Sequence, residues 1–215
     1  MPKSLATLLI GLFFGSTGAS ANWQVPDKLF HNGNEYYLLT NPLENYFAFY
    51  PDKRPKSTSI FSPNLSRGYV ATFEIIANEL FVTDIVVEEL MGDSAVRKSV
   101  IHDVFPDQSP YAMRTFGGIL TAAYGDVVNL VDEGYRSTFE HYTVFEIKSG
   151  KLIKEKSFEL AAFEKFKDRQ FELFKATEQY KEYLTMMKDS KMSNDEAEMF
   201  IKNLGLDVMP RIQED

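Results

Sequence analysis

Two rhythms of apolar residues divide the chain. From residue 22 to residue 158 apolar positions alternate or run continuously and are rich in Val, Ile, Phe and Tyr, the signature of strands buried on one or both faces. Residues 36–40, 69–76, 80–87, 96–104, 116–124, 138–148 and 152–158 therefore predict strands. Hairpins are expected around Ala77-Asn78-Glu79 and around Ser149-Gly150, where glycine tolerates the positive φ of a tight turn. Gly117-Gly118 suggests a bulge or a close backbone approach. From residue 159 to residue 188 the period changes: Phe163, Phe166, Leu173, Phe174, Tyr180, Leu184 and Met187 recur in steps of three or four, with Glu and Lys between them. This predicts a long amphipathic helix whose aromatic face packs on the sheet. Ser193 and Glu196 then form a capping box that opens a short helix over 194–204, closed by Gly205, and the tail after Pro210 is expected to be loose. The fold class is α+β, a mostly antiparallel sheet of about five to seven strands followed by a long and a short helix. A single domain is expected, with β structure over 22–158 and a helical extension over 159–215 packed on it.

The first 21 residues have another plan. Lys3 precedes an apolar run from Leu5 to Phe14 that is too short to span a bilayer, and small residues follow up to Ala19-Ser20-Ala21. This order predicts a signal peptide cleaved between Ala21 and Asn22, hence a periplasmic or secreted protein. No later run is long enough for a membrane span.

Composition narrows the partners. With 44% hydrophobic and 14% aromatic residues the chain can build a real core, so disorder is not expected. A formal charge of -8 lacks the cationic surface that nucleic acids and anionic membranes require, so neither is an expected partner. Zero cysteines remove disulfides, thiolate catalysis and cysteine-bearing zinc sites.

Catalytic signatures are missing from the sequence. Among three histidines, His31 precedes the turn Asn32-Gly33, His102 precedes Asp103 and His141 lies within a strand, and none sits in a metal-ligand spacing. No serine occupies a nucleophile elbow, and the glycines form no nucleotide fingerprint. No catalytic residue, metal site or cofactor is expected. Two clusters combine a guanidinium, a phenol and a glycine at the start of a strand: Arg67-Gly68-Tyr69 and Gly134-Tyr135-Arg136. Arg67, Tyr69, Tyr135 and Arg136 are the candidate binding residues, and Arg-carboxylate pairing at strand ends is the competing structural role. Residues 51–63, with Lys53, Arg54 and Lys56, read as a surface loop with solvated cations.

Pro42-Leu43-Glu44-Asn45-Tyr46-Phe47, Arg67-Gly68-Tyr69-Val70-Ala71-Thr72-Phe73-Glu74-Ile75, Leu80-Phe81-Val82, Phe116-Gly117-Gly118-Ile119-Leu120, Gly134-Tyr135-Arg136-Ser137-Thr138-Phe139-Glu140 and Gly150-Lys151-Leu152 occur in this order. The series resembles an uncharacterised family of small bacterial proteins with the signature PLExYF, RGYxAxWEI, LYL, FxGxL, GYxSxxE and GKL. Phe73 stands where that family has Trp. The resemblance spans residues 36–152, implies the sheet and supplies no reaction. The functional expectation is an exported, non-catalytic binding or interaction protein of immunity-like character, with a protein or small-ligand partner. The alternatives are a periplasmic hydrolase using a carboxylate pair and a small-ligand carrier.

Overall fold

Asn32-Gly33, Ala77-Asn78 and Ser149-Gly150 all hold positive φ, the conformation of two-residue hairpin turns whose twist matches that of the flanking strands. In the computed structural model, which describes residues 24–56, 63–92, 94–131, 137–190 and 192–214, these turns join β1 (Asp27–His31) to β2 (Asn34–Leu38), β3 (Val70–Ile76) to β4 (Glu79–Met91), and β8 (Thr138–Lys148) to β9 (Lys151–Glu159). Between them lie β5 (Ser94–Ser99), β6 (Tyr111–Ala112) and β7 (Gly118–Asn129). The molecule is α+β, with one large, mostly antiparallel sheet of nine strands among the described residues.

The sheet closes on itself. Its order β3-β1-β2-β7-β8-β9-β4 returns to β3 through the β3–β4 hairpin, making a ring in which only β1 and β3 run parallel. Closure between β9 and β4 is brief: Glu79 faces Lys151, Leu80 N–H donates to Gly150 O, and Leu152 N–H donates to Asn78 O. Strand β4 outgrows the ring and also pairs with β6 and β5.

Alternation along the strands produces two cores. Leu29, Leu38, Phe73, Leu80, Val82, Leu120 and Phe145 fill the inside of the ring. Ile119, Ala123, Tyr142 and Val144 point outward from β7 and β8 against α3 (Leu160–Phe174), α4 (Glu178–Asp189) and α5 (Asn194–Leu204). Both faces of β7 and β8 are thus covered in their central parts, where burial runs without a break over residues 119–123 and 142–147. Helix α1 (Pro42–Phe49) inserts Leu43 and Phe47 into the inner core, and the single turn α2 (Ile101–Val104) adds Ile101 and Val104.

Three local expectations are revised. The amphipathic stretch over 159–188 is helical, as two helices: the Thr177 hydroxyl donates to Phe174 O and accepts from Tyr180 N–H, ending one helix and capping the next. The strand expected over 96–104 stops at Ser99, because Ile101 and Val104 can both enter the core only on a helical turn. The segment after Pro210 is held in place, with Ile212 only 2% exposed.

Candidate binding site

Helix α1 has two working faces. Leu43 and Phe47 face inward, while Pro42, Asn45, Tyr46 and Phe49, spaced i, i+3, i+4 and i+7, line one wall of a groove. The opposite wall is the turn from Met113 to Gly117, including Thr115 and Phe116, and Tyr50 closes one side. The groove encloses about 300 Å³, and among the described residues that line it no side chain is charged. Tyr46 is its aromatic centre, with Tyr50 at 4.9 Å, Phe105 at 5.2 Å and Tyr111 at 5.9 Å between ring centroids. Phe105 and Tyr111 stack in parallel at 3.8 Å behind it. Phe49 and Tyr50 remain 56% and 51% exposed, side by side at the rim. Burial pushes the Tyr46 phenol pKa up, and the neighbouring Tyr111 phenol adds to the shift.

The β8–β9 turn and local bonds buttress this second wall. Gly150 N–H donates to Phe116 O, and Arg114 and Phe116 are folded back by bonds to Ala112 O and Met113 O. A Cβ on Gly150 would lie 2.8 Å from Met113 O, so this glycine serves a close backbone approach as well as its positive φ of 75°.

The candidate residues Arg67 and Tyr69 lie behind α1, in a buried polar ladder. Arg67 donates to Asp27 Oδ1 and to Val25 O, both at 2.8 Å, and its guanidinium lies over the Tyr69 ring at 5.5 Å. Tyr69 is fully buried and donates to Glu44 Oε1 at 2.7 Å. Glu44 on α1 also takes both guanidinium nitrogens of Arg54, so this cation of the expected surface loop is paired. Asp27 Oδ1 further accepts from Ala71 N–H at 2.7 Å. Burial raises the Asp27 pKa from 3.8 to about 6 against the opposing pull of Arg67. Burial, reinforced by the Glu44 carboxylate, pushes the Tyr69 phenol well above 10. The ladder fixes α1, and so one wall of the groove, to the first and third strands. Tyr135 and Arg136 lie outside the described residues, as does the expected signal peptide.

His31, at the end of β1, is buried within the ring, with Nε2 at 3.2 Å from Glu155 Oε2 and its ring edge on Phe145. His141 stacks on Tyr124 at 5.0 Å. Among the described residues, no group of three or more His, Cys, Asp and Glu side chains could hold a metal ion.

Sequence reasoning did not find the groove. Its signal was present in the spacing of Pro42, Asn45, Tyr46 and Phe49, with proline at the first helical position, but a helix of eight residues carries little periodicity. Comparison of the chain with protein-family models, with curated proteins and with solved structures returns no match.

Proposed function

We propose that the protein is exported, begins at Asn22 after removal of residues 1–21, and acts as a non-catalytic binding protein whose contact surface is the groove between α1 and the 113–117 turn. The observation that carries this reading is the pair of half-exposed rings, Phe49 and Tyr50, beside an uncharged aromatic groove. Exposed aromatics that require little further ordering are the residue types that dominate binding energy at interfaces. The described lining, aromatic and without charge, favours a neutral apolar or aromatic group, such as a ring or aliphatic side chain presented by a partner protein. The immunity-like character of this reading rests on the size and acidity of the chain.

The test is parallel capture from envelope extract with the mature protein and with Phe49→Ala and Tyr50→Ala, followed by mass spectrometry. A partner retained by the parent should be weakened by about 2 kcal/mol or more in at least one variant whose circular dichroism is unchanged. Capture identical in all three proteins would overturn the assignment of the groove. The mass of the purified protein gives the first residue, expected to be Asn22. A second reading, small-ligand carriage, draws on the groove volume, which lies near the lower end for small-molecule sites. Native mass spectrometry of the freshly purified protein would show a bound neutral molecule in that case.

A further inference from the structure

Polar side chains gather on the inner face of the ring at one end, where β1 stops and β2 starts. His31, Tyr36 and Thr143 are 6%, 7% and 1% exposed there, and beside them on β9 the Glu155 side chain is 36% exposed and Ser157 is exposed. Short contacts join the group: His31 Nε2 lies 3.2 Å from Glu155 Oε2, and the Thr143 and Ser157 hydroxyls are 3.0 Å apart. The Tyr36 ring meets that of Tyr124 edge-on at 5.3 Å. Burial pushes the Tyr36 phenol pKa up, and the Glu155 carboxylate and then the Tyr124 phenol add to the shift. At the rim β7 slips its register on β8 after Tyr124, a bulge of the kind that re-aims side chains at barrel mouths. Gly125, at φ 83°, makes room there, because a Cβ would lie 2.9 Å from Glu140 Oε2 and 3.1 Å from His141 Cδ2.

One polar atom of the cluster is unsatisfied. Donation from His31 Nε2–H to Glu155 leaves Nδ1 with a lone pair, and Nδ1 is buried without a hydrogen-bond partner. A buried acceptor in that state costs stability unless a donor meets it. Charge adds a direction. On the outer side of β9 Lys154 holds Glu214 and Lys156 lies over Phe166, whereas Glu155 and Glu159, the latter opposite His141, belong to the inner side. A ligand at this end therefore meets a carboxylate, phenol and hydroxyl oxygens and an imidazole lone pair, all able to accept, next to aromatic rings. A primary ammonium on an alkyl chain complements this set with three donors, a positive charge and methylenes that rest on the rings.

We propose that this end of the ring binds the primary ammonium of an alkyl amine, held by the Glu155 carboxylate, His31 Nδ1 and the Tyr36 phenol. Mouths of β-barrels are recurrent positions for small-ligand sites, and this one shares no residue with the groove on α1. A free diamine and a lysine side chain of another protein carry the same group.

The experiment is calorimetric titration of the purified protein with cadaverine, with Nα-acetyl-lysine amide and with pentanediol, the neutral counterpart of cadaverine. At least one of the two amines should bind saturably and pentanediol should not. Tighter binding of cadaverine assigns the free amine, and the reverse order assigns the lysine side chain. Glu155→Gln should weaken the amine about tenfold or more, the loss expected when a hydrogen bond to a charged group goes. Ser157→Lys, at an exposed position, places a tethered ammonium in the site and should abolish binding with circular dichroism unchanged. Absence of saturable binding by either amine at millimolar concentration would overturn the proposal. Equal binding of pentanediol, or an affinity unchanged by Ser157→Lys, would overturn it too.

Discussion

Arg67 shows how much a residue's meaning depends on a partner distant in sequence. A guanidinium at a strand start suggests either a ligand contact or a weak surface pair, and both leave stability nearly unchanged on truncation. Instead its side chain is 8% exposed and pairs with an Asp27 carboxylate that is fully buried. Arg67→Ala should therefore cost about 3–5 kcal/mol, the consequence of stranding a buried charge, measurable as a lowered urea midpoint. Asp27 also makes a prediction for pH. Its native pKa of about 6 lies above its ordinary 3.8, so the native state holds this proton more tightly than the unfolded chain does. The contribution of Asp27 is present below about pH 4, is lost as pH rises to about 6, and is flat above. A rise from 3.8 to about 6 is equivalent to about 3 kcal/mol. Urea unfolding of wild type and Asp27→Asn from pH 4 to pH 7 should show the variant gaining by roughly this amount relative to wild type. The pairing was not legible because 40 positions separate the two residues. A sequence displays the chemistry of Arg67-Gly68-Tyr69 but not the carboxylates that it meets.

Elements with local instructions were legible, and elements defined by what they pack against were not. The β3–β4 and β8–β9 hairpins follow from turn chemistry and short-period alternation, which need no distant information. Helix α1 and strand β1 are short, and their stability comes from insertion into the inner core. The amphipathic stretch was legible as helical, but the break at Thr177 lay in a side-chain bond that periodicity cannot show. The same limit applies to individual rings. Phe174 is fully buried, so Phe174→Ala should cost about 3–5 kcal/mol. Phe166 is only partly buried and stacks on Phe158 at 4.6 Å, so Phe166→Ala should cost distinctly less, with thermal midpoints ordering the pair. Gly150 connects a turn to the groove. Gly150→Ala should destabilise the protein and, by displacing Met113, alter the tyrosine near-ultraviolet circular dichroism of the groove cluster. A spectrum and midpoint identical to wild type would show that the backbone contact relaxes without consequence.

At the scale of the whole molecule, a sheet was legible from the sequence while its closure was not. Each strand declares which of its faces is apolar, but ring closure depends on β1 lying between β2 and β3 and on the return of β4 to β9. None of those relations has a local signature. The groove and the seat of the C-terminal segment on Glu146 and Gln170 share this character, since each is assembled from elements that meet only in the closed fold. The brief junction of β9 with β4 has a consequence in time. On its β8 side strand β9 pairs from Lys151 to Glu159, whereas its ladder with β4 consists of Glu79 opposite Lys151. Small fluctuations can part such a junction while the β7–β8 ladder and both cores stay intact. In native-state hydrogen exchange, the amide protons of Leu80 and Leu152, which bond across the junction, should be replaced by deuterium through local opening that is insensitive to low urea. Those in the centre of β8 should exchange only when the whole molecule unfolds. Equal protection at both places would mean that the ring opens and closes as one cooperative unit.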